Sequence, residues 1–264
     1  MNALLEKFEK MGARAKLSNG NGLVRSRFSN GMNTGGVRLN ILNDEDGEYF
    51  DLNVQGDAEV SVLDVQPKDR HLLLLAKQGE EKSKFLCGHD ERHWFLAAIP
   101  ESAPVGTVRQ AKEALKPTEV QNRQVGLNKK KRNKRKNSAY IRQGEWFFIP
   151  ENITVDERLI LKNEPITRGR VSKPHMAQFA YRKGGVTVYV SREYPNGVDA
   201  KTYQKLVKEG KGANFRAMVR DASVYVKGTI RHADHATITL NGWHRVVMNT
   251  ERQAKAMRNV AFLD

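Results

Sequence analysis

A series of short, β-rich runs between Val37 and Pro100 constrains the fold more than any other feature of the chain. Turn-forming residues such as Asp46-Gly47 separate the runs. Because connections this short have no room for crossover helices, neighbouring strands must run antiparallel. The pattern predicts a small antiparallel barrel or a sandwich-like N-terminal domain. The six runs are VRLNIL, EYFDLNV, AEVSVLDV, HLLLLAK, KFLCG and HWFLAAI.

The second half of the chain is also β-rich, but it includes a helix. Strand-like runs such as YIRQGEWFFI and VTVYVSR flank residues 198–210, which have helical spacing and end on a glycine. Further on, Asn241-Gly242 stands between two alternating apolar runs and predicts a hairpin over residues 235–248. We therefore expect a mixed α+β C-terminal domain and an α+β class for the whole chain.

A run of basic residues separates the two β-rich regions. Residues 118–138 have no apolar period and contain eight Lys or Arg and one Glu. Because like charges this dense repel one another, we expect an extended and mobile segment. The predicted organisation is a neutral domain in residues 1–117, a flexible basic linker in 118–138 and a basic domain in 139–264.

The positive charge of the chain is concentrated in its second half. The net charge is +15, yet residues 1–117 contain 16 basic and 17 acidic side chains, whereas residues 118–264 contain 29 and 13. A basic surface attracts polyanions, and nucleic acid is the commonest polyanion in a cell. We therefore predict a protein that binds DNA or RNA through the phosphate backbone, alone or as a subunit of a larger nucleoprotein complex. The neutral N-terminal domain is expected to dock a protein partner.

The predicted nucleic-acid contacts are cations and one aromatic residue. Dense Lys and Arg release counterions from a phosphate backbone, which gives affinity without sequence preference, although a solvated linker or a targeting signal has the same composition. Tyr140 is the best candidate for stacking on an unpaired base, whereas Trp146, Phe147 and Phe148 are predicted to form a core strand. The predicted contact residues are Lys129, Lys130, Lys131, Arg132, Lys134, Arg135, Lys136, Tyr140, Arg168, Arg170, Lys201, Lys205 and Lys208.

Four histidines provide the catalytic lead. The predicted hairpin places His235 and His244 on one face but roughly 13 Å apart, too far to bind one metal ion. His232 and His235 could share a zinc or manganese ion if their corner is a turn, with His175 as a further ligand. The spacing does not require a cofactor. A nucleic-acid-processing enzyme of the nuclease or phosphoesterase type, which uses these histidines as acid–base groups or metal ligands, is the main alternative to a binding protein.

The remaining features define the expected cellular setting and a third alternative. Cys87 is the only cysteine, which excludes an internal disulfide. Gly88-His89-Asp90 is interpreted as a turn that joins two strands and has charged residues at its exposed tip, and a Cys-His nucleophile pair or a metal cluster at Cys87, His89, Asp90, Glu91 and His93 is the alternative. No stretch approaches the roughly 18 apolar residues of a membrane span, so we expect a cytoplasmic protein without a membrane partner. A scaffold protein whose basic segment contacts RNA or an acidic protein is the third interpretation.

Overall fold

The computed structural model describes residues 2–18, 32–34, 36–167 and 173–255. The chain is β-rich, with 19% helix and 47% strand, and this confirms a broadly α+β class. None of the described helices combines the length and the apolar character that a membrane span requires.

The helices are Asn2–Lys10 (α1), Val108–Ala114 (α2), Thr118–Arg123 (α3), Lys129–Arg132 (α4) and Ala200–Lys208 (α5). The strands are Arg14–Ser18 (β1), Met32–Thr34 (β2), Val37–Asp44 (β3), Gly47–Val54 (β4), Glu59–Gln66 (β5), His71–Gln78 (β6), Glu81–Asp90 (β7), His93–Ile99 (β8), Ile141–Gln143 (β9), Trp146–Pro150 (β10), Leu161–Ile166 (β11), His175–Lys183 (β12), Val186–Val190 (β13), Arg216–Arg220 (β14), Ser223–Arg231 (β15) and Ile238–Met248 (β16).

The chain divides into two compact units. Unit 1 comprises the residues up to Phe147 together with the segment that begins at Met248, and unit 2 is Phe148–Val247. These bounds differ from those that the charge pattern predicts, because the divisions after residues 117 and 138 both fall inside unit 1. The basic segment is therefore a part of unit 1 rather than a separate linker.

Unit 1 contains two open four-stranded sheets, with strand orders β1-β4-β3-β2 and β5-β6-β7-β8. The pairs that the six β-rich runs form are antiparallel, as predicted. Strand β1 precedes those runs and pairs with β4 in parallel, because the long connection between these two strands allows the chain to return in the same direction. Neither sheet closes into a barrel within the described residues, so the barrel alternative is corrected.

The second sheet of unit 1 and helix α2 enclose a hydrophobic core. The helix begins with a capping box, in which the side chain of Thr107 accepts a hydrogen bond from the backbone N–H of Gln110 and the Gln110 side chain reaches back. Apolar residues at helical spacing then face the sheet and are removed from water. The core consists of Leu73, Leu86, Ala97, Ile99, Val105, Val108, Ala111 and Leu115.

A six-stranded sheet of order β11-β12-β15-β16-β10-β9 contains most strands of unit 2, and β13 and β14 form a separate two-stranded sheet. Helix α5 contacts β13. The rings of Tyr189 and Tyr203 lie parallel with centroids 4.0 Å apart, and Phe215 lies 5.2 Å from Tyr203. These half-buried aromatic residues form a small core of their own beside α5.

Strand β16 replaces the hairpin that the sequence predicts for residues 235–248. It is one continuous strand that pairs with β15. The register shifts between the pairs Val226–His244 and Gly228–Leu240, which are two residues apart on β15 but four residues apart on β16. Asn241 and Gly242 form this bulge, and Gly242 has a φ of 93°. The hairpin prediction was wrong because Asn-Gly suits a positive-φ bulge as well as a turn, and β15 provides a more distant partner for both halves.

Candidate metal centre and basic surfaces

Three histidines meet at one end of the six-stranded sheet. His175 is the first residue of β12, and β12 runs antiparallel to β15, which ends at Arg231. Met176 pairs with Arg231, the last residue of β15; His175 precedes Met176 and His232 follows Arg231, so both histidines lie at this end of the pair. His235 follows in the short connection that leads from β15 to β16.

The three imidazoles form a compact group, which we call the histidine cluster. The ring centroids are 4.1 Å apart for His175 and His232, 4.7 Å for His232 and His235, and 5.7 Å for His175 and His235. One ligand atom of each residue lies within 4.8 Å of the other two, and His175 is only 1% exposed whereas the other two are partly exposed. The cluster could hold a metal ion, which is the possibility that the sequence analysis raised for these three residues.

Backbone groups and one ion pair position the cluster. The amide N–H of Asp234 donates to Nδ1 of His232 at 3.1 Å, and Nε2 of His232 lies 3.2 Å from the carbonyl oxygen of Lys173. In the neutral ring the proton is therefore on Nε2, which donates to that carbonyl. The ammonium of Lys173 also contacts both carboxylate oxygens of Asp234, at 2.7 and 2.9 Å. These contacts hold the residues after β15 against the residues before β12.

His244, the fourth catalytic candidate, is not part of the cluster. It lies on β16 opposite Val226, is 4% exposed, and its Nδ1 is 3.0 Å from the carbonyl oxygen of Gly242. Burial lowers the pKa of His244, which favours the neutral ring. His244 is a satisfied core histidine. The structure thus joins three of the four histidines and separates the fourth.

The basic segment 118–138 is folded rather than extended. It contains α3 and α4, and its backbone is tied to the rest of unit 1 at Arg132. The carbonyl oxygen of Arg132 accepts hydrogen bonds from Nζ of Lys116 at 3.0 Å and from the hydroxyl of Tyr140 at 2.5 Å. The structure therefore differs from the extended linker that the charge pattern predicts, and these part-buried hydrogen bonds hold the segment against the repulsion between its exposed charges.

Tyr140 belongs to the interior and cannot stack on a base. Its side chain is 2% exposed, and its ring packs edge-on against Phe147 with centroids 5.0 Å apart. Phe147 and Phe148 are 3% and 0% exposed, so the predicted core strand is confirmed. The assignment of Tyr140 as a nucleic-acid contact is therefore corrected, because its hydroxyl and its ring both anchor the basic segment.

Five lysines of the basic run face solvent, whereas its two arginines have structural roles. Nε of Arg132 donates to the carbonyl oxygen of Leu127 at 2.8 Å, and Arg135 forms ion pairs with Asp90 and Glu91. Among the residues that the structure describes, no carboxylate lies within 4.0 Å of the five ammonium groups. We call these residues the lysine patch; they are Lys129, Lys130, Lys131, Lys134 and Lys136.

The remaining predicted cations lie elsewhere. Lys201, Lys205 and Lys208 are exposed on α5, and Nζ of Lys205 lies 3.9 Å from a carboxylate oxygen of Glu209. Arg168 and Arg170 lie outside the described residues. The α5 lysines form a second basic surface, which belongs to unit 2.

Lys116 is a residue whose role the sequence patterns did not indicate. It is 3% exposed, and its ammonium contacts Oε1 of Glu113 at 2.9 Å, Oε1 of Gln124 at 3.0 Å and the carbonyl of Arg132. Burial lowers the pKa of Lys116, and the hydrogen bond to Glu113 acts in the opposite direction. The ammonium has three N–H donors, and these contacts use all of them. The only local signal was a carboxylate three residues earlier, in the last turn of α2.

Glu91 and Arg92 form the turn between β7 and β8, whereas Gly88, His89 and Asp90, where the sequence predicts the turn, belong to β7. Cys87 is 1% exposed, and burial strongly raises the pKa of its thiol. A thiol that stays protonated is not a nucleophile. The charged tip has a structural role instead, because Asp90 and Glu91 bind Arg135.

Comparison with known proteins adds no further guide to the function. No protein-family model, curated protein or solved structure matches this chain. The function is therefore inferred from the residues themselves.

Proposed function

We propose that the protein binds nucleic acid through the phosphate backbone. The observation that supports this best is the lysine patch, in which five exposed lysines fall within eight residues of chain. Within the described part of the chain, no carboxylate neutralises them at ion-pair distance. Such charges attract a polyanion and displace its counterions, which makes binding strong at low salt and weak at high salt.

The folded backbone under the lysine patch favours binding. The side chain of Asn128 caps α4 by accepting a hydrogen bond from the N–H of Lys131 at 2.9 Å. Further along, the side chain of Asn137 accepts hydrogen bonds from the N–H groups of Ala139 and Tyr140 at 2.8 and 3.1 Å. Because the backbone is already ordered, binding costs less conformational entropy than it would for a mobile arm.

Unit 2 provides a second basic surface that suits the same ligand. Its residues 148–247 contain 17 basic and 9 acidic side chains. Lys201 and Lys208 are exposed on α5, and Asp199 caps that helix by accepting a hydrogen bond from the N–H of Thr202 at 2.7 Å. The ammonium groups of the helix are therefore carried on a rigid element, as in the lysine patch.

The salt dependence of binding tests this proposal. The variant Lys129→Gln/Lys130→Gln/Lys131→Gln/Lys134→Gln removes four charges of the lysine patch and retains good helix formers. If each lysine contacts a phosphate, the slope of log affinity against log salt becomes shallower by about 3. The measurement is fluorescence anisotropy of labelled single-stranded DNA, single-stranded RNA and duplex DNA over a range of NaCl concentrations.

A matched control separates local contacts from net charge. The variant Lys7→Gln/Lys10→Gln/Lys68→Gln/Lys82→Gln removes the same number of exposed charges from other surfaces of unit 1. We expect its slope to stay close to that of the wild type. Equal slopes for the two variants would overturn the role of the lysine patch, and a wild-type protein that binds none of the three nucleic acids would overturn the proposal itself.

A further inference from the structure

We propose that the histidine cluster binds one divalent transition-metal ion, with His175, His232 and His235 as its three protein ligands. This inference is independent of nucleic-acid binding, because it rests on side chains of unit 2, and none of these side chains belongs to the lysine patch. It starts from the proximity of three potential ligand atoms, all within 4.8 Å of one another.

The fold itself brings the ligands together. His175 and His232 are cross-strand neighbours at the end of an antiparallel pair, and His235 is added by the connection that leaves the same pair. His175 thus belongs to the hydrogen-bonded ladder and His232 is one residue beyond its last pair, which limits the distance between their backbones. A cluster built on a sheet end is preorganised for a ligand that all three rings can reach.

The chemistry of the donors selects the class of metal. Imidazole nitrogen suits zinc, copper, nickel and cobalt, whereas magnesium, calcium and manganese prefer carboxylate and carbonyl oxygen. Asp234 is the carboxylate next to the cluster in sequence, and both of its oxygens contact the ammonium of Lys173. The cluster is therefore expected to take zinc rather than manganese. Three imidazoles leave a fourth tetrahedral position for water, as in catalytic zinc sites.

The hydrogen bonds of His232 agree with a role as a ligand. Its Nε2–H donates to the carbonyl oxygen of Lys173 at 3.2 Å, which leaves the lone pair on Nδ1. Metal-binding histidines usually donate their other ring N–H to such a carbonyl, because this fixes the ring and its tautomer. The lone pair of Nδ1 now accepts the N–H of Asp234, and the metal would replace that donor.

Metal binding requires a small adjustment of the rings. Two nitrogens bound to the same tetrahedral zinc ion lie about 3.3 Å apart, given zinc–nitrogen bonds of about 2.0–2.1 Å. In the structure the three ligand atoms lie within 4.8 Å of one another, which is a wider limit than this distance. The planes of the rings are inclined to one another by only 25° to 28°. Binding of one zinc ion would therefore require rotation about the side-chain bonds of His232 and His235, which are only partly buried.

Zinc titration of the chelator-stripped full chain tests the inference. We expect isothermal titration calorimetry to show one zinc ion per chain, elemental analysis after dialysis to give the same ratio, and zinc to raise the melting temperature by linkage. His235→Gln removes one of three ligands and is expected to weaken zinc binding roughly tenfold or more. Millimolar magnesium is not expected to compete.

His93→Gln is the matched control, because His93 is half exposed on unit 1 and lies far from the cluster in sequence. It is expected to bind zinc as the wild type does. Circular dichroism establishes that each variant is folded, and the partly exposed position of His235 makes its replacement tolerable. The inference is overturned if the wild type does not retain zinc, or if His235→Gln and His93→Gln bind zinc equally well.

Discussion

Gly88 shows how a single missing side chain sets the packing between β6, β7 and β8. A Cβ at this position would lie 2.6 Å from Cδ2 of His71 and 2.7 Å from Cε1 of Phe95. The rings of His71 and Phe95 meet edge-on, with centroids 5.6 Å apart, so they cover the space above the glycine. His71 is on β6 and Phe95 is on β8, and both are partly buried, so a shift of either ring would disturb the packing of these strands.

Gly88→Ala is expected to destabilise unit 1 by about 1–3 kcal/mol, because the added methyl overpacks this site. Chemical denaturation with urea measures the change. Gly106→Ala is the control, since its Cβ would meet only the side chain of Gln110 at 3.7 Å and its φ is ordinary. We expect the control to lie within about 0.5 kcal/mol of the wild type. Equal stability of the two variants would contradict the packing interpretation.

His71 gives the stability of the protein a specific dependence on pH. Burial, together with the positive charge of Lys112, lowers the pKa of His71 to about 4. The unfolded chain has a pKa of about 6.5 and so binds more protons between these values, which means that stability falls as the pH falls from about 6.5 to about 4. We expect this residue to account for about 2–3 kcal/mol of the loss between pH 7 and pH 4.5.

Urea denaturation of the wild type and of His71→Gln at both pH values checks this expectation. The glutamine variant cannot take up the proton, so its stability should fall less over the same interval. His89 and His244 also have lowered pKa values and contribute in the same direction in both proteins. An identical loss in the two proteins would show that His71 titrates normally in the folded state.

At the scale of elements, Lys116 explains how α2 holds the basic segment. Its ammonium joins a carboxylate of α2, an amide beside α3 and the backbone at the end of α4. An exposed ion pair would contribute little, but this ammonium is buried and fully hydrogen-bonded. One cation therefore organises a segment that is otherwise rich in repelling charges.

Lys116→Met is expected to destabilise the protein by about 2–4 kcal/mol. The methionine fills the volume of the lysine stem but removes the donor to the buried Gln124 and to the part-buried Glu113, and the carbonyl of Arg132 keeps only the hydroxyl of Tyr140. The measurement is the midpoint of urea unfolding, and Lys112→Met serves as control because Lys112 makes a more exposed ion pair with Asp69 at 3.1 Å. Limited digestion with trypsin should also become faster at Lys129–Lys136 in the Lys116 variant alone. Equal effects of the two substitutions would contradict the anchoring role.

At the scale of the whole molecule, local patterns predicted the elements better than their partners. Alternation and turn residues identified the antiparallel strands between Val37 and Ile99, and the apolar pattern identified the core strand at Phe147 and Phe148. They missed the parallel pair of β1 with β4 and the bulge at Asn241-Gly242. Both features depend on which distant strand is available, and that information is absent from any short window.

For the candidate sites, too, the sequence identified the residues but not the contacts between them. The sequence singled out His175, His232 and His235 as residues that could share a metal ion, but spacing alone left their meeting dependent on an unknown turn. The register of β12 with β15 decided that they meet and that His244 does not. For the basic run, composition identified the lysines, whereas the tertiary contacts of Arg132 and Arg135 separated these two arginines from the exposed lysines.

The sequence by itself determined the β-rich α+β class, the concentration of positive charge in the second half and the residue types that bind phosphate or metal. These properties follow from composition and short-range periodicity, which depend only on residues that are close together in the sequence. Only the tertiary structure decided that residues 118–138 are folded into unit 1 and that three histidines share one sheet end. Strand register and buried hydrogen bonds join residues that are far apart in the chain, so their energies cannot be read from neighbours in sequence.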